Sequence, residues 1–259
     1  MILVSQVNNP KHDPAGYRVV PNTTRELNQD RVKELLAKEW ELFQKTTKLS
    51  GKENVKASKS LPLGVTSSFQ HWDPYPISVA SAKGAYVKDV DGRKLLDLSM
   101  GFGAMMVGHL NPGVVRAVKR ALNRVGTLFV TPSPTATIAA EAFKKRFNLD
   151  MIRFTNSGTE SLMYAIRTAR ATNGKKAIIK LEGGYHGGYD PLQVSVKPKL
   201  ENIGDGNAPT PEVPTEVEPG EVFVVPYNNL EYLEKIMSEN AHKIAAFVLE
   251  PIMENISIV

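Results

Sequence analysis

From residue 111 onward the chain alternates between two kinds of segment, and this alternation restricts the possible folds more than any other feature. Asn111-Pro112 opens a helix to about residue 124, with proline at the first helical position, where its fixed φ and missing N–H do no harm. Residues 136–147, 159–171 and 229–239 read as further helices. Between them lie apolar runs of strand length: 152–155, 177–181 (AIIKL), 222–225 (VFVV) and 244–249. Short continuous apolar runs between helices are how strands covered on both faces read. Repeated β-α-β units predict a three-layer αβα domain with a mainly parallel sheet. No internal repeat is visible.

The amino-terminal part is organised differently. Residues 1–22 read as an irregular arm. A helix is predicted from Thr23 or Thr24 to about Lys48: Val32, Leu35, Leu36, Trp40 and Phe43 recur at helical spacing, and Thr23 with Glu26 matches a capping box. The polar, Lys/Ser-rich stretch 49–60 reads as a linker or loop. Ala85, Val87 and Val90 lead into Asp91-Gly92, and Leu95, Leu96 and Leu98 follow, which predicts a hairpin turning at Asp-Gly. Residues 101–108 (GFGAMMVG) show no clear period.

Composition excludes several classes. The chain has no cysteine, so thiolate metal sites, disulfide scaffolds and cysteine nucleophiles are ruled out. Its 42% hydrophobic content does not suit a disordered chain. The longest apolar runs are too short to cross a bilayer, and the first residues do not read as an export signal, so a cytoplasmic protein without membrane association is expected. The net charge is +5, yet residues 201–221 carry six acidic side chains and no Lys or Arg, leaving +11 elsewhere. Those cations are spread among acidic residues, without the basic run and interleaved aromatics of a nucleic-acid surface, so no nucleic-acid partner is expected. The acidic stretch 201–221 fits a lid, a dimer contact or a loop, and its composition favours mobility.

Three motifs sit at the carboxyl ends of predicted strands. TNSGTE (155–160) opens a helix after a strand. Free amides and the helix dipole make such a turn an anion site, while an ordinary Ser or Asn N-cap needs no ligand. GGYHGG (183–188) permits close approach of a ligand beside an aromatic ring, or is a glycine-rich turn with one packed tyrosine. EPIMEN (250–255) offers a carboxylate and an amide where a strand gives way to a loop, where a solvated exit reads equally well. Together they describe one pocket holding an anion cradle, a stacking ring and polar side chains. His12, His71, His109 and His242 show no metal-ligand spacing, and no metal site is expected.

In order, GVTSS (64–68), DVDGRKLLDLS (89–99), VGHLNP (107–112), RFTNSGTESLMYAIRTAR (153–170), KLEGGYHGGYD (180–190) and LEPIMEN (249–255) resemble the class III aminotransferases. These are pyridoxal-phosphate enzymes of fold type I, and the nearest branch is the glutamate-1-semialdehyde aminomutase-like group. The resemblance covers about residues 60–259. It implies a fold of an amino-terminal arm, helix and small sheet region (1–100) followed by the first part of a large cofactor-binding domain (101–259). It implies that Ser157, Gly158 and Thr159 hold the cofactor phosphate, that Tyr185 stacks on the pyridine ring with His186 beside it, and that Glu250 and Asn255 lie near the ring. Ser67 matches a substrate-side position. The aminomutase pattern carries an arginine that grips the substrate carboxylate where this chain has Gln70, which cannot form a bidentate ion pair. The substrate class implied is therefore an amino acid or amine more broadly.

In the family, the aspartate that pairs with the pyridine nitrogen and the lysine that forms the Schiff base lie beyond EPxxxN, so both are expected beyond Val259. Lys175, Lys180 and Lys197 read as ordinary solvated or loop residues. The 259-residue chain alone is expected to be inactive, as half of a homodimer-forming enzyme or a subunit completed by a second chain. The alternative is a non-catalytic half that binds only a partner chain or the phosphate.

Overall fold

In a computed structural model, residues 28–128, 130–210 and 221–253 are described, and they fall into two compact units, one ending at Val130 and the other beginning at Thr131. The 1–22 arm, the Thr23–Glu26 capping box, residues 211–220 of the acidic stretch and Asn255 lie outside the described residues.

In the first unit, α1 (Gln29–Thr46) starts at Asn28, whose side chain accepts from Arg31 N at 3.0 Å, and Phe43 packs on Tyr75 with ring centroids 5.3 Å apart. The expected loop at 49–60 is instead mostly helix: α2 runs Lys48–Ala57. Its N-cap residue Thr47 makes no side-chain cap bond. The Asp91 carboxylate accepts from Leu49 N (2.7 Å), Ser50 N (3.0 Å) and Ser50 Oγ (2.7 Å). The orphan amides of the helix are thus capped from the hairpin turn, far away in sequence, and not by the side chain of the threonine at its N-cap position. The hairpin forms as expected. β1 (Val79–Lys83), β2 (Tyr86–Asp89) and β3 (Lys94–Leu96) make an antiparallel sheet in that order, with Gly92 at φ +89° in the β2–β3 turn. α3 (Pro112–Arg124) is capped by Asn111, whose side chain accepts from Gly113 N and Val114 N, and it buries none of its residues.

The second unit contains the parallel sheet. It begins with α4 (Pro134–Phe147). The strand expected at 152–155 does not form. Instead of pairing with a strand, Phe154 sits edge-on to Phe143 of α4 at 6.2 Å, so a helix face satisfies its apolar side chain. α5 (Gly158–Asn173) ends on Gly174 in the left-handed conformation. β4 (Ala177–Leu181), the short α6 (Asp190–Gln193), β5 (Val222–Val225), α7 (Leu230–Asn240) and β6 (Ile244–Val248) follow. The strand order is β5-β4-β6, all parallel, so the chain passes from one side of β4 to the other. The alternation of β4 explains the layers. Ala177 and Ile179 pack with Val225, Ile236 and Ile244 on the α7 side, whereas Ile178 packs with Ile166 of α5 and Leu192 on the other. Ile178 and Ile179 are fully enclosed, each worth about 1.5–3 kcal/mol of transfer free energy. No helix among the described residues is long and apolar enough to cross a membrane.

Candidate active site

Ser157 sits at the N-cap of α5 and its Oγ accepts from Glu160 N at 3.2 Å. The Glu160 carboxylate reaches back to Asn156 N at 2.6 Å. This reciprocal arrangement is a capping-box variant, so the N-cap reading of TNSGTE is realised. It does not exhaust the helix end. Ser161 N bonds to the Ser157 carbonyl at 3.0 Å, and the amides of Gly158 and Thr159 have no protein acceptor among the described residues. Space in front of Gly158 is open: a Cβ there would meet nothing within 4 Å. The Ser157 and Thr159 hydroxyls each accept one bond and keep their own protons to donate. Two amides, two hydroxyls and the positive end of a 16-residue helix fit a phosphate.

The GGYHGG turn leaves the carboxyl end of β4 and is fastened to that helix end. Gly188 N donates to Thr159 Oγ1 at 3.0 Å, and Gly187, at φ +86°, passes so close to Thr159 that a Cβ there would lie 2.9 Å from its Cα. Within the turn the two aromatic side chains part. Tyr185 is half exposed, whereas His186 is 6% exposed, with Nε2 tucked under Gly184 and without a hydrogen-bond partner. Burial, then the nearby Lys180 charge, pushes the His186 pKa down to about 4, so the ring is neutral at pH 7.

Glu250 lies two residues past β6, at the same end of the sheet, and is half-buried. Ser67 and Gln70 belong to the first unit. Ser67 precedes a short 3-10 turn (Ser68–Gln70), and Gln70 accepts from Thr66 Oγ1 at 2.8 Å while lining a cavity of about 680 Å3 with Phe43, Trp72 and Tyr75.

One sequence reading is corrected here. Lys180 is not solvated but wholly buried in the central strand, its Nζ donating to the Val194 carbonyl at 2.5 Å. Burial pushes its pKa down to about 8, with the Glu182 charge opposing. The signal was present in AIIKL, since a strand covered on both faces buries whatever it carries. Glu182 and Ser195 were also missed. Glu182 accepts from Gly204 N at 2.8 Å. Ser195, buried at φ +52°, bonds Gly183 N through its carbonyl and Thr210 through its amide and hydroxyl.

Residues 68–256 match the family model for aminotransferase class-III. The glutamate-1-semialdehyde 2,1-aminomutase of Thermoplasma volcanium is 40% identical over 204 residues, covering 78% of this chain and 48% of that protein. The same enzyme from Methanocaldococcus jannaschii is 38% identical, covering 77% and 46%. An omega-transaminase from Sphaerobacter thermophilus superposes with a TM-score of 0.75 at 31% identity, over 81% of this chain and 49% of that one. A glutamate-1-semialdehyde aminomutase from Pseudomonas aeruginosa gives 0.79 at 25%, over 90% and 50%. The fold is that of the fold type I transaminases. The chain belongs to the class-III aminotransferase family. It spans about half the length of the curated relatives it matches.

Proposed function

We propose that this chain supplies the phosphate cradle and stacking face of a pyridoxal-phosphate enzyme that moves an amino group on an amino acid or amine, by transfer or by internal exchange as in the aminomutases. The observation that carries this reading is the α5 amino terminus, where the Gly158 and Thr159 amides have no protein acceptor among the described residues and Thr159 is fastened to the tyrosine turn. When bound, pyridoxal phosphate supplies an electron sink for bonds at the substrate's amino-bearing carbon. The chain's residues bind and orient it. Ser157, Gly158 and Thr159 hold the phosphate. The Tyr185 ring lies on one face of the heterocycle, and buried, neutral His186 supports that turn from beneath. The family resemblance assigns Glu250 and Asn255 to the ring substituents and Ser67 and Gln70 to the substrate.

In this reading no lysine of residues 1–259 is the Schiff-base anchor. Lys180, three residues before the turn, supports it through its enclosure and its bond to Val194, which leave no path for an aldehyde. The anchor and the aspartate that pairs with the pyridine nitrogen come from other sequence, and the chain by itself is inactive. The complete enzyme is a cytoplasmic homodimer or is completed by a second chain. Half-exposed Val114, Val118 and Leu122 along α3 agree with such association.

Equilibrium dialysis with pyridoxal 5′-phosphate tests the cradle. Saturable binding, displaced by inorganic phosphate and weakened at least about tenfold in Thr159→Val, is expected, because a hydrogen bond to a charged group is worth about 1.5–3 kcal/mol. Binding that ignores both phosphate and the substitution would exclude the reading.

A further inference from the structure

We propose that Lys180 is a positioning residue for the candidate site: from the middle of β4 its ammonium holds the backbone at Val194, and residues 193–195 in turn hold the turn that presents Tyr185 and meets Thr159. Three consecutive residues make the connection. The Gln193 side-chain amide donates to the Gly187 carbonyl, the Val194 carbonyl accepts from Lys180 Nζ at 2.5 Å, and the Ser195 carbonyl accepts from Gly183 N at 2.7 Å. The turn is therefore gripped at both ends, Gly183 and Gly187, by one short stretch of chain. Lys180 ties that stretch to the central strand. On its far side Ser195 is fixed as well, its amide donating to the Thr210 carbonyl at 2.6 Å and its hydroxyl accepting from Thr210 N at 3.0 Å.

Apolar packing alone accounts for the depth of this stretch, since Leu192, Val194 and Val196 are all buried. It does not account for a lysine between Ile179 and Leu181 in the central strand. Burying an ammonium costs several kcal/mol unless it is bonded, and methionine fills nearly the same space without that cost. What the ammonium adds over methionine is a charge-assisted hydrogen bond, which ties the Val194 carbonyl to the central strand and so restrains Gly183 and Gly187. The lowered pKa of Lys180, with burial as its main cause, agrees with an amine kept in an enclosed site for a structural contact.

Hydrogen exchange of this chain, read amide by amide, tests the positioning separately from the proposed function. In Lys180→Met the amides of Gly183 and Gly188 are expected to exchange about tenfold faster, the loss of one ordinary hydrogen bond, while those of Ile179 and Ile236 keep their protection. Lys180→Gln, which retains a donor, is expected to restore part of the difference. In parallel, the affinity for pyridoxal 5′-phosphate falls about tenfold in Lys180→Met. That second readout rests on the proposed function. A wild-type chain that binds no pyridoxal 5′-phosphate would remove the function and leave the exchange result standing. Unchanged protection at Gly183 and Gly188 in Lys180→Met overturns the proposal. So does an equal loss at Ile179 and Ile236, in either variant, because Lys180 would then be holding the sheet and not the turn.

Discussion

His186 and Lys180 are two buried bases close to one another, and burial penalises the charged form of each. Both folded pKa values lie below the ordinary ones, so the unfolded chain binds protons more readily and stability rises with pH across each interval. For His186 the contribution is complete above about 6.5 and is lost as pH falls towards about 4. For Lys180 stability rises from about pH 8 to about 10.5, by about 3 kcal/mol at most. Urea unfolding of wild type and Lys180→Met between pH 7 and 10.5 is expected to show a rise in wild type that the variant lacks; parallel curves would count against the burial. A second expectation concerns Gly187. An alanine there combines a positive φ with a collision against Thr159, so Gly187→Ala is expected to lower stability by about 1–3 kcal/mol. An unchanged unfolding midpoint would show that the turn is not pressed against α5.

Among the elements, what was legible in the sequence is what is encoded locally. The Asp91-Gly92 hairpin, the Asn111-Pro112 start of α3 and the strands β4, β5 and β6 carry their own signals of turn chemistry, capping and apolar run length. The α2 helix was illegible because its cap is Asp91, some forty residues away, and the stretch 152–155 misled because Phe154 finds its partner on a helix. In the candidate site the outward parts, Ser157–Thr159 and Tyr185, were legible as motif residues. Behind them, AIIKL carried the signal for the burial of Lys180, but the roles of Lys180, Gln193 and Ser195 were not legible, because they depend on which backbone group each one meets in space. The remote cap is open to measurement. Ser50 is fully buried, donates to Asp91 and accepts from Ser78 N at 3.2 Å, so Ser50→Ala is expected to cost about 1–3 kcal/mol by leaving that amide unsatisfied. Ser58→Ala, at an exposed site near the end of α2, is expected to stay within about 0.5 kcal/mol. Equal effects in denaturant melts would mean that the Ser50 hydroxyl does not bridge Asp91 and Ser78.

At the scale of the whole molecule, the chain matches the class-III family over residues 68–256, and its second unit has the αβα layering in which ligands bind beyond the carboxyl ends of the parallel strands, where the proposed cradle lies. A class-III aminotransferase needs an anion cradle, a stacking face and a lysine anchor, and the proposed function gives this chain the first two. Borohydride reduction of the purified chain with pyridoxal 5′-phosphate, read by intact mass and peptide mapping, tests that division directly. Saturable binding with no single stoichiometric pyridoxyl-lysine is the predicted result. One fully labelled lysine, Lys180 above all, would mean that the anchor lies within these 259 residues and that the enclosed side chain is reached by the aldehyde after all.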